Sequence, residues 1–219
     1  MVLLGILPVA VAALAVGAIT ASAAERIHRT LASPLVDEGT GPDGCEPELS
    51  GRGGPVKWEV RIERYLPDGK GLVEVSRRPE DDRYPLCIAD LPVAKNAEVE
   101  LEFVPHTGTL ARTAGIVVRF ADAQDYYVVR ADALAADVRL LRVFNGIQSQ
   151  LAGARAVVAQ GKPNNLKVAV VDDLFTVWLA GKKLFEHRDG AIRTPGRFGV
   201  WSKSDSVTSF GDLFITVLD

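Results

Sequence analysis

Histidine and cysteine are scarce in this chain, three and two among 219 residues, and each shortage closes off chemistry. Neither cysteine has a close Cys or His neighbour, so there is no spaced ligand set for zinc. His28, His106 and His187 fall singly in what reads as a linker, a turn and a loop, which favours surface roles over a base or a ligand. Ser204-Asp205-Ser206 has no positional link to a histidine, which argues against a Ser-His-Asp arrangement. No glycine-rich phosphate loop is present. Basic excess is also missing. The formal net charge is −3, and Glu25 to Arg52 alone holds three arginines against six acids, leaving 22 against 22 elsewhere. A neutral body has nothing to drive counterion release, so nucleic acid is excluded as a partner. No repeat with a period of roughly 20 to 50 residues occurs, which disfavours a propeller.

The first 24 residues carry no charge and end in Ala21-Ser22-Ala23, the small-residue pattern that signal peptidase cuts. They read as an export signal, which places the protein in the periplasm or outside the cell. No Lys or Arg precedes the apolar run, and the run exceeds a usual signal core. An uncleaved membrane anchor is therefore the alternative, and the one route by which this chain touches a membrane. Without a cysteine near the cut, a lipid anchor is not expected. In an oxidising compartment the even cysteine count points to one disulfide, Cys45 to Cys87, contributing about 4 kcal/mol in the chain-entropy model; two free thiols are the alternative. Residues 25–54, with Pro34, Pro42, Pro47 and ELSGRGG, read as a linker, and residues 55–219 as one domain.

What the domain has is alternation. Lys57 to Leu66 sets Trp58, Val60 and Ile62 against Lys57, Glu59, Arg61 and Glu63, the mark of a half-buried strand. Gly71 to Val75, Ala97 to Pro105, Arg155 to Gln160, Leu166 to Val171, Leu174 to Leu179, Lys183 to Glu186, Gly196 to Trp201 and Phe210 to Leu218 read likewise as strands. Arg77 to Tyr84 reads as a polar loop. Between them lies the stretch around which the chain is organised, GIVVRF, YYVVR and VRLLRVF, three runs of a β-meander. Each carries an arginine, Arg119, Arg130 or Arg142, so one face of that sheet should be packed and the other wet. Eleven to thirteen strands with no room for helices select an all-β sandwich of two antiparallel sheets.

The order Gly115 to Phe120, Asp125 to Arg130, Val138 to Val143, Asn145-Gly146, Val177 to Gly181 and Gly199-Val200-Trp201-Ser202-Lys203-Ser204-Asp205-Ser206-Val207, with Phe210 and Asp212, resembles the exported bacterial 3-keto-disaccharide hydrolase domains. These are similar to the concanavalin A-like lectins and glucanases. The resemblance covers roughly Trp58 to Asp219. It implies a jelly-roll whose concave face carries a sugar site, in a superfamily holding lectins, hydrolases, lyases and scaffolds alike.

Sugar binding needs aromatic faces and fixed planar donors. Arg119, Tyr127, Arg130, Arg142, Asn145, Trp201 and Lys203 are the candidates, with Trp178 as a second stacker should Trp201 lie in the core. Glu98, Glu100 and Glu102 share one face of a strand, as nucleophile and acid/base do in retaining glycosidases; the same charge alternation in Lys57 to Glu63 is solvated surface, so no catalytic residue is assigned. No cofactor is expected. A structural calcium, common in the superfamily, would draw on Asp122, Asp125, Asp172, Asp173 and Asp212, residues that turn formation explains equally. The reading is an exported carbohydrate-binding sandwich, accessory to glycoside or polysaccharide breakdown. The alternatives are a glycoside hydrolase acting on a disaccharide-like or glucan substrate, and a non-catalytic envelope scaffold that binds another protein.

Overall fold

The computed structural model describes residues 26–218, and every regular element among them is a strand. The leader expected over residues 1–24 lies outside the described residues. The strands are β1 (Arg26–Arg29), β2 (Cys45–Gly51), β3 (Trp58–Ile62), β4 (Lys70–Glu74), β5 (Arg83–Ala89), β6 (Ala97–Thr107), β7 (Thr113–Asp122), β8 (Asp125–Asp132), β9 (Asp137–Phe144), β10 (Ile147–Arg155), β11 (Asn164–Val171), β12 (Leu174–Leu179), β13 (Lys182–Arg188), β14 (Arg197–Trp201) and β15 (Val207–Val217). One sheet has the order β13-β12-β11-β6-β15-β4-β3, with β1 also paired to β15, and the other β10-β9-β8-β7-β14-β5-β2. The fold is an all-β jelly-roll sandwich of two antiparallel sheets.

Alternation builds the core between the sheets. Ala97, Val99, Leu101 and Phe103 of β6, Leu166, Val168 and Val170 of β11, and Phe175, Val177 and Leu179 of β12 meet Ile116 and Val118 of β7, Tyr127 and Val129 of β8, and Phe198 and Val200 of β14. Each buried valine, leucine, isoleucine or phenylalanine among them contributes about 1.5–3 kcal/mol. A register shift between Phe210 and Leu213 lets residues three apart in β15 both face inward.

Three expectations differ from what is found. The segment expected as a linker supplies two strands: β1 lies along β15, with Arg26 opposite Thr216, and β2 lies along β5. Because β2 is an edge strand with few apolar residues, its anchor is the bond from Cys45 to Cys87, whose Cα atoms stand 5.4 Å apart. The polar loop expected up to Tyr84 instead opens into β5, a strand seated between β14 and β2 despite Pro85. Conversely, the strand expected over 155–160 ends at Arg155, where Asn164 bonds back to Ala159 through both side-chain amide atoms, at 2.8 and 2.9 Å.

One end of the sandwich is closed by ions. Arg83 of β5 is fully buried and reaches across to Glu74 of β4, 3.1 Å away and 1 % exposed. The same guanidinium donates to Ser76 Oγ at 2.7 Å and to the Pro55 carbonyl at 3.1 Å. Nearby, the Asp205 carboxylate accepts from Thr109 N and Oγ1, 2.7 and 2.6 Å, and from Leu110 N, 3.0 Å. Burial alone would raise its pKa, but these donors outweigh it and hold the carboxyl below the usual aspartate range. Such a group stabilises fully above the ordinary range and stops doing so as pH falls through its lowered value. Asp205→Asn should therefore cost about 1–2 kcal/mol at neutral pH in denaturant titrations, and the gap to the native chain should close in strongly acid solution.

Candidate functional site

The arginines of the meander do not share a face. Arg119 takes a left-handed backbone conformation, φ 51°, at the register shift in β7. Gly196 packs there so closely that a β-carbon on it would stand 2.4 Å from the Arg119 carbonyl carbon. The bulge breaks the alternation, and the guanidinium turns to the end of the sandwich, 1 % exposed. It donates to the carbonyls of Lys95 at 3.1 Å, Ile192 at 2.9 Å and Asp172, and lies over the Phe175 ring. Tyr127 and Arg142 sit directly opposite each other on β8 and β9 and also face inward. Both bind Asp189, the arginine at 2.6 Å, while Tyr127 Oη accepts from Ile192 N at 3.1 Å. Burial, then the Asp189 carboxylate, push the Tyr127 phenol up to about 12. Burial alone would raise Asp189; the donors around it prevail and hold it below its ordinary range. These three candidates form the plug of the second end and are corrected to structural roles.

Two further candidates lie at turns. Asn145, φ 50°, and Gly146, φ 73°, make the two-residue hairpin between β9 and β10. Lys203 pairs with Asp81 at 2.6 Å. Arg130 and Trp201 remain, and both lie on the outward face of the seven-stranded sheet.

That face is not the wet trough expected of it. Leu86 and Ile88 of β5, Val117 and Phe120 of β7, Tyr126 and Val128 of β8, Leu141 and Val143 of β9, and Trp201 of β14 form a second apolar cluster, separate from the core. Trp201 is fully buried and stacks on Tyr84, ring centroids 5.5 Å apart. The strands packed against this sheet belong to the other sheet and lie on its inner side. Polar groups border the cluster. Arg130, opposite Arg139 in register, pairs with Asp137 and with Asp132 at 3.6 Å, and Arg139 holds Asp137 at 2.6 Å. A cavity of about 180 Å³ opens there between Asp137, Arg139, Gln150 and Arg155. Tyr126 Oη, Trp201 Nε1 and Arg130 Nε are buried without a hydrogen-bond partner. Burial holds the Tyr126 phenol up at about 12, against a smaller pull from the Ser50 hydroxyl and the Trp201 indole beside it.

Sequence reasoning chose Tyr127 where the outward tyrosine is Tyr126, and passed over Tyr84, Arg139, Asp132 and Asp137. Alternation through Val128 and Arg130 carried the signal for Tyr126, since residues two apart share a face.

The carboxylates of β6 do share the outward face of the other sheet. Lys167 lies 2.7 Å from Glu98 and 3.8 Å from Glu100, with its ammonium over Trp178, and Glu102 borders a shallow pocket of about 130 Å³. A larger groove on that sheet, about 640 Å³, runs between Lys57, Glu59, Arg61, Arg77, His106 and Ser209. Lys57 first, and Arg61 with it, hold Glu59 below its ordinary range against burial. Glu63 and Ser209 both meet the same ring nitrogen of His106, at 2.7 and 3.0 Å, so no acid–imidazole–hydroxyl relay exists there. Among the described residues that line this groove, the ring is that of His106. Of the calcium candidates, Asp122 and Asp125 bond turn amides, Asp172 pairs with Lys95, Asp173 with Arg188 and Asp212 with His28. Among the described residues no group of three or more acidic, His or Cys side chains is placed to hold a metal ion.

No family model and no curated protein matches the chain. Solved structures do. A carbohydrate-binding module from Bacillus subtilis is 18% identical over 80% of this chain and 97% of its own, with a TM-score of 0.63. A β-glucanase from Bacillus licheniformis is 9% identical over 89% and 98%, TM-score 0.55. Domain 4 of an arabinanase from Geobacillus stearothermophilus, solved with arabinotriose, is 13% identical over 78% and 82%, TM-score 0.51. At these identities the likeness carries the fold: two sheets, jelly-roll connected, shared by sugar-binding modules and glucanases.

Proposed function

We propose that the chain is an exported protein, akin to the 3-keto-disaccharide hydrolase domains, whose sandwich binds carbohydrate on the outward face of the seven-stranded sheet. One observation carries this reading: three buried polar atoms on that face, Tyr126 Oη, Trp201 Nε1 and Arg130 Nε, lack partners. Each unmet group costs about 1–3 kcal/mol, and a saccharide hydroxyl can both donate and accept. At the border of the cluster the half-buried Tyr84 offers a ring edge for sugar C–H groups, and the part-exposed Arg139 offers a planar donor. The structural neighbours include a carbohydrate-binding module and a domain solved with arabinotriose, which supports the same class of ligand.

Binding is favoured over cleavage because the carboxylates are engaged. Asp137 is held by two arginines, and Asp132 caps the turn amides of Leu134 and Ala135 at 2.9 and 3.2 Å. Neither is free to serve as a proton donor to a leaving group.

The test is calorimetry of the chain from Glu25 onward against arabinotriose, laminarihexaose, levan and galacturonan oligosaccharides. One of these is expected to bind, and Arg139→Ala to weaken it about 10- to 100-fold with the melting temperature unchanged. No binding, or binding lost in Arg61→Ala of the other sheet and kept in Arg139→Ala, rejects the site.

A further inference from the structure

The groove of about 640 Å³ on the eight-stranded sheet plays no part in the carbohydrate reading. Register builds it. Trp58 and Val60 of β3 turn into the core, which points Lys57, Glu59 and Arg61 outward. Glu59 lies opposite Val73 of β4, and Val73 opposite Ser209 of β15, so the floor holds a carboxylate, an isopropyl group and a hydroxyl, each at most 5 % exposed. Val75 and Arg77 extend that lining along the chain leaving β4. Arg77 is the unexplained member. It is exposed, its backbone is left-handed at φ 50°, and among the described residues it makes no ion pair or hydrogen bond. Such a conformation favours glycine, yet an arginine stands there with nothing in the fold to hold it. We propose that this groove is a binding site for a phosphomonoester, with Lys57, Arg61 and Arg77 taking the phosphate.

Charge selects the ligand class. The lining sets three fixed cations against one carboxylate, Glu59, and that carboxylate is shared: Lys57 lies 2.5 Å from one oxygen and Arg61 bonds the other. Of the acids just outside, Glu38 meets Arg61 from the rim at 3.7 Å, and Glu63 is engaged by His106 and by Tyr65 N at 3.2 Å. A phosphomonoester carries about −1.5 to −2 at neutral pH, which matches the surplus of two cations over Glu59, whereas a carboxylate would leave one unmet. Guanidinium forks suit phosphate oxygens, and the ammonium of Lys57 adds a point charge. Because the buried Glu59 already gathers Lys57 and Arg61, binding costs little reorganisation of those two head groups. Val73, Val75, Val207 and the exposed Ile62 supply apolar lining for an organic body beside the phosphate, in a volume usual for small-molecule sites. The groove lies on the opposite sheet from the proposed glycan face, and this inference holds whether or not that face binds sugar.

The experiment is calorimetry of the full chain at roughly 0.15 M salt, with glucose 6-phosphate as the probe. It should bind at one site, with inorganic phosphate, glucuronate and glucose each at least ~10-fold weaker. No binding of glucose 6-phosphate overturns the proposal, as does equal affinity for inorganic phosphate or glucuronate. Arg77→Gly removes the cation and suits the left-handed backbone, so it should weaken binding about 10- to 100-fold with a melting temperature no lower than that of the native chain. Lys182→Ala, which removes an exposed cation at the start of β13, should leave the affinity unchanged. Unchanged affinity in Arg77→Gly, or an equal loss in Lys182→Ala, would show unspecific attraction and refute the site. In ¹⁵N spectra of the native chain the Nε–H signals of Arg61 and Arg77 should move together with added probe; if both stay still, the groove is not where it binds.

Discussion

Arg119→Ala is expected to destabilise the domain by about 3–5 kcal/mol, while leaving the outward face of the seven-stranded sheet as it is. The guanidinium is buried at the sandwich end and donates to three carbonyls from three separate segments, at Lys95, Asp172 and Ile192. Alanine leaves the buried Ile192 carbonyl without its donor, frees the half-buried carbonyls of Lys95 and Asp172, and opens a void over Phe175. It also releases the 189–192 loop from one of its anchors; Tyr127 and Arg142, through Asp189, are the others. In a domain of this size the loss corresponds to a fall in melting temperature of about 10 °C. A melting temperature unchanged in Arg119→Ala, together with lost glycan binding, would return Arg119 to the binding site and refute the plug.

Glu74→Ala should be as damaging, for a different reason. Removing one partner of a buried pair leaves the other charge without compensation, typically about 3–5 kcal/mol, whereas replacing both with apolar residues of similar volume is near neutral. Arg83 is fully buried, and its neutral contacts, Ser76 Oγ and the Pro55 carbonyl, cannot offset its charge. Urea titrations should therefore place Glu74→Ala far below the native chain and Glu74→Leu/Arg83→Met within about 1 kcal/mol of it. If the double variant falls as low as the single one, the clamp contributes by specific geometry and the charge argument fails. The two predictions describe one design: a sandwich whose apolar layer is open at both ends, each end closed by an arginine that ties one sheet to the other.

Most of the strands were readable because alternation is a direct record of burial. β6, β11, β12 and the meander announce themselves by residues two apart, and the paired sheets follow from their number and spacing. Three things were not readable, each for a physical reason. β1 and β2 bury little of their own, relying on β15, on β5 and on a disulfide, so they carry no apolar signature. β5 holds Pro85, which reads as a break unless the neighbour that does not need its N–H is known. The faces of the arginines depended on a bulge: the left-handed Arg119 shifts the register by one, which sends Arg119 to the core side and Phe120 outward. Arg130 and Trp201 kept the expected side of the sheet, but that side is apolar, with its donors gathered at the border.

The account stands or falls on where a sugar touches. The most direct measurement is a titration of the chain from Glu25 onward, by ¹⁵N NMR, with the tightest oligosaccharide of the calorimetric panel, following the indole N–H of Trp201 and the guanidinium N–H of Arg130 and Arg139. The account predicts that these signals shift together and saturate with one affinity, because Trp201 Nε1 and Arg130 Nε gain the partners they lack. Shifts confined to Arg61, Arg77, His106 and Ser209, around the groove of the other sheet, with Trp201 and Arg130 unmoved, would contradict it.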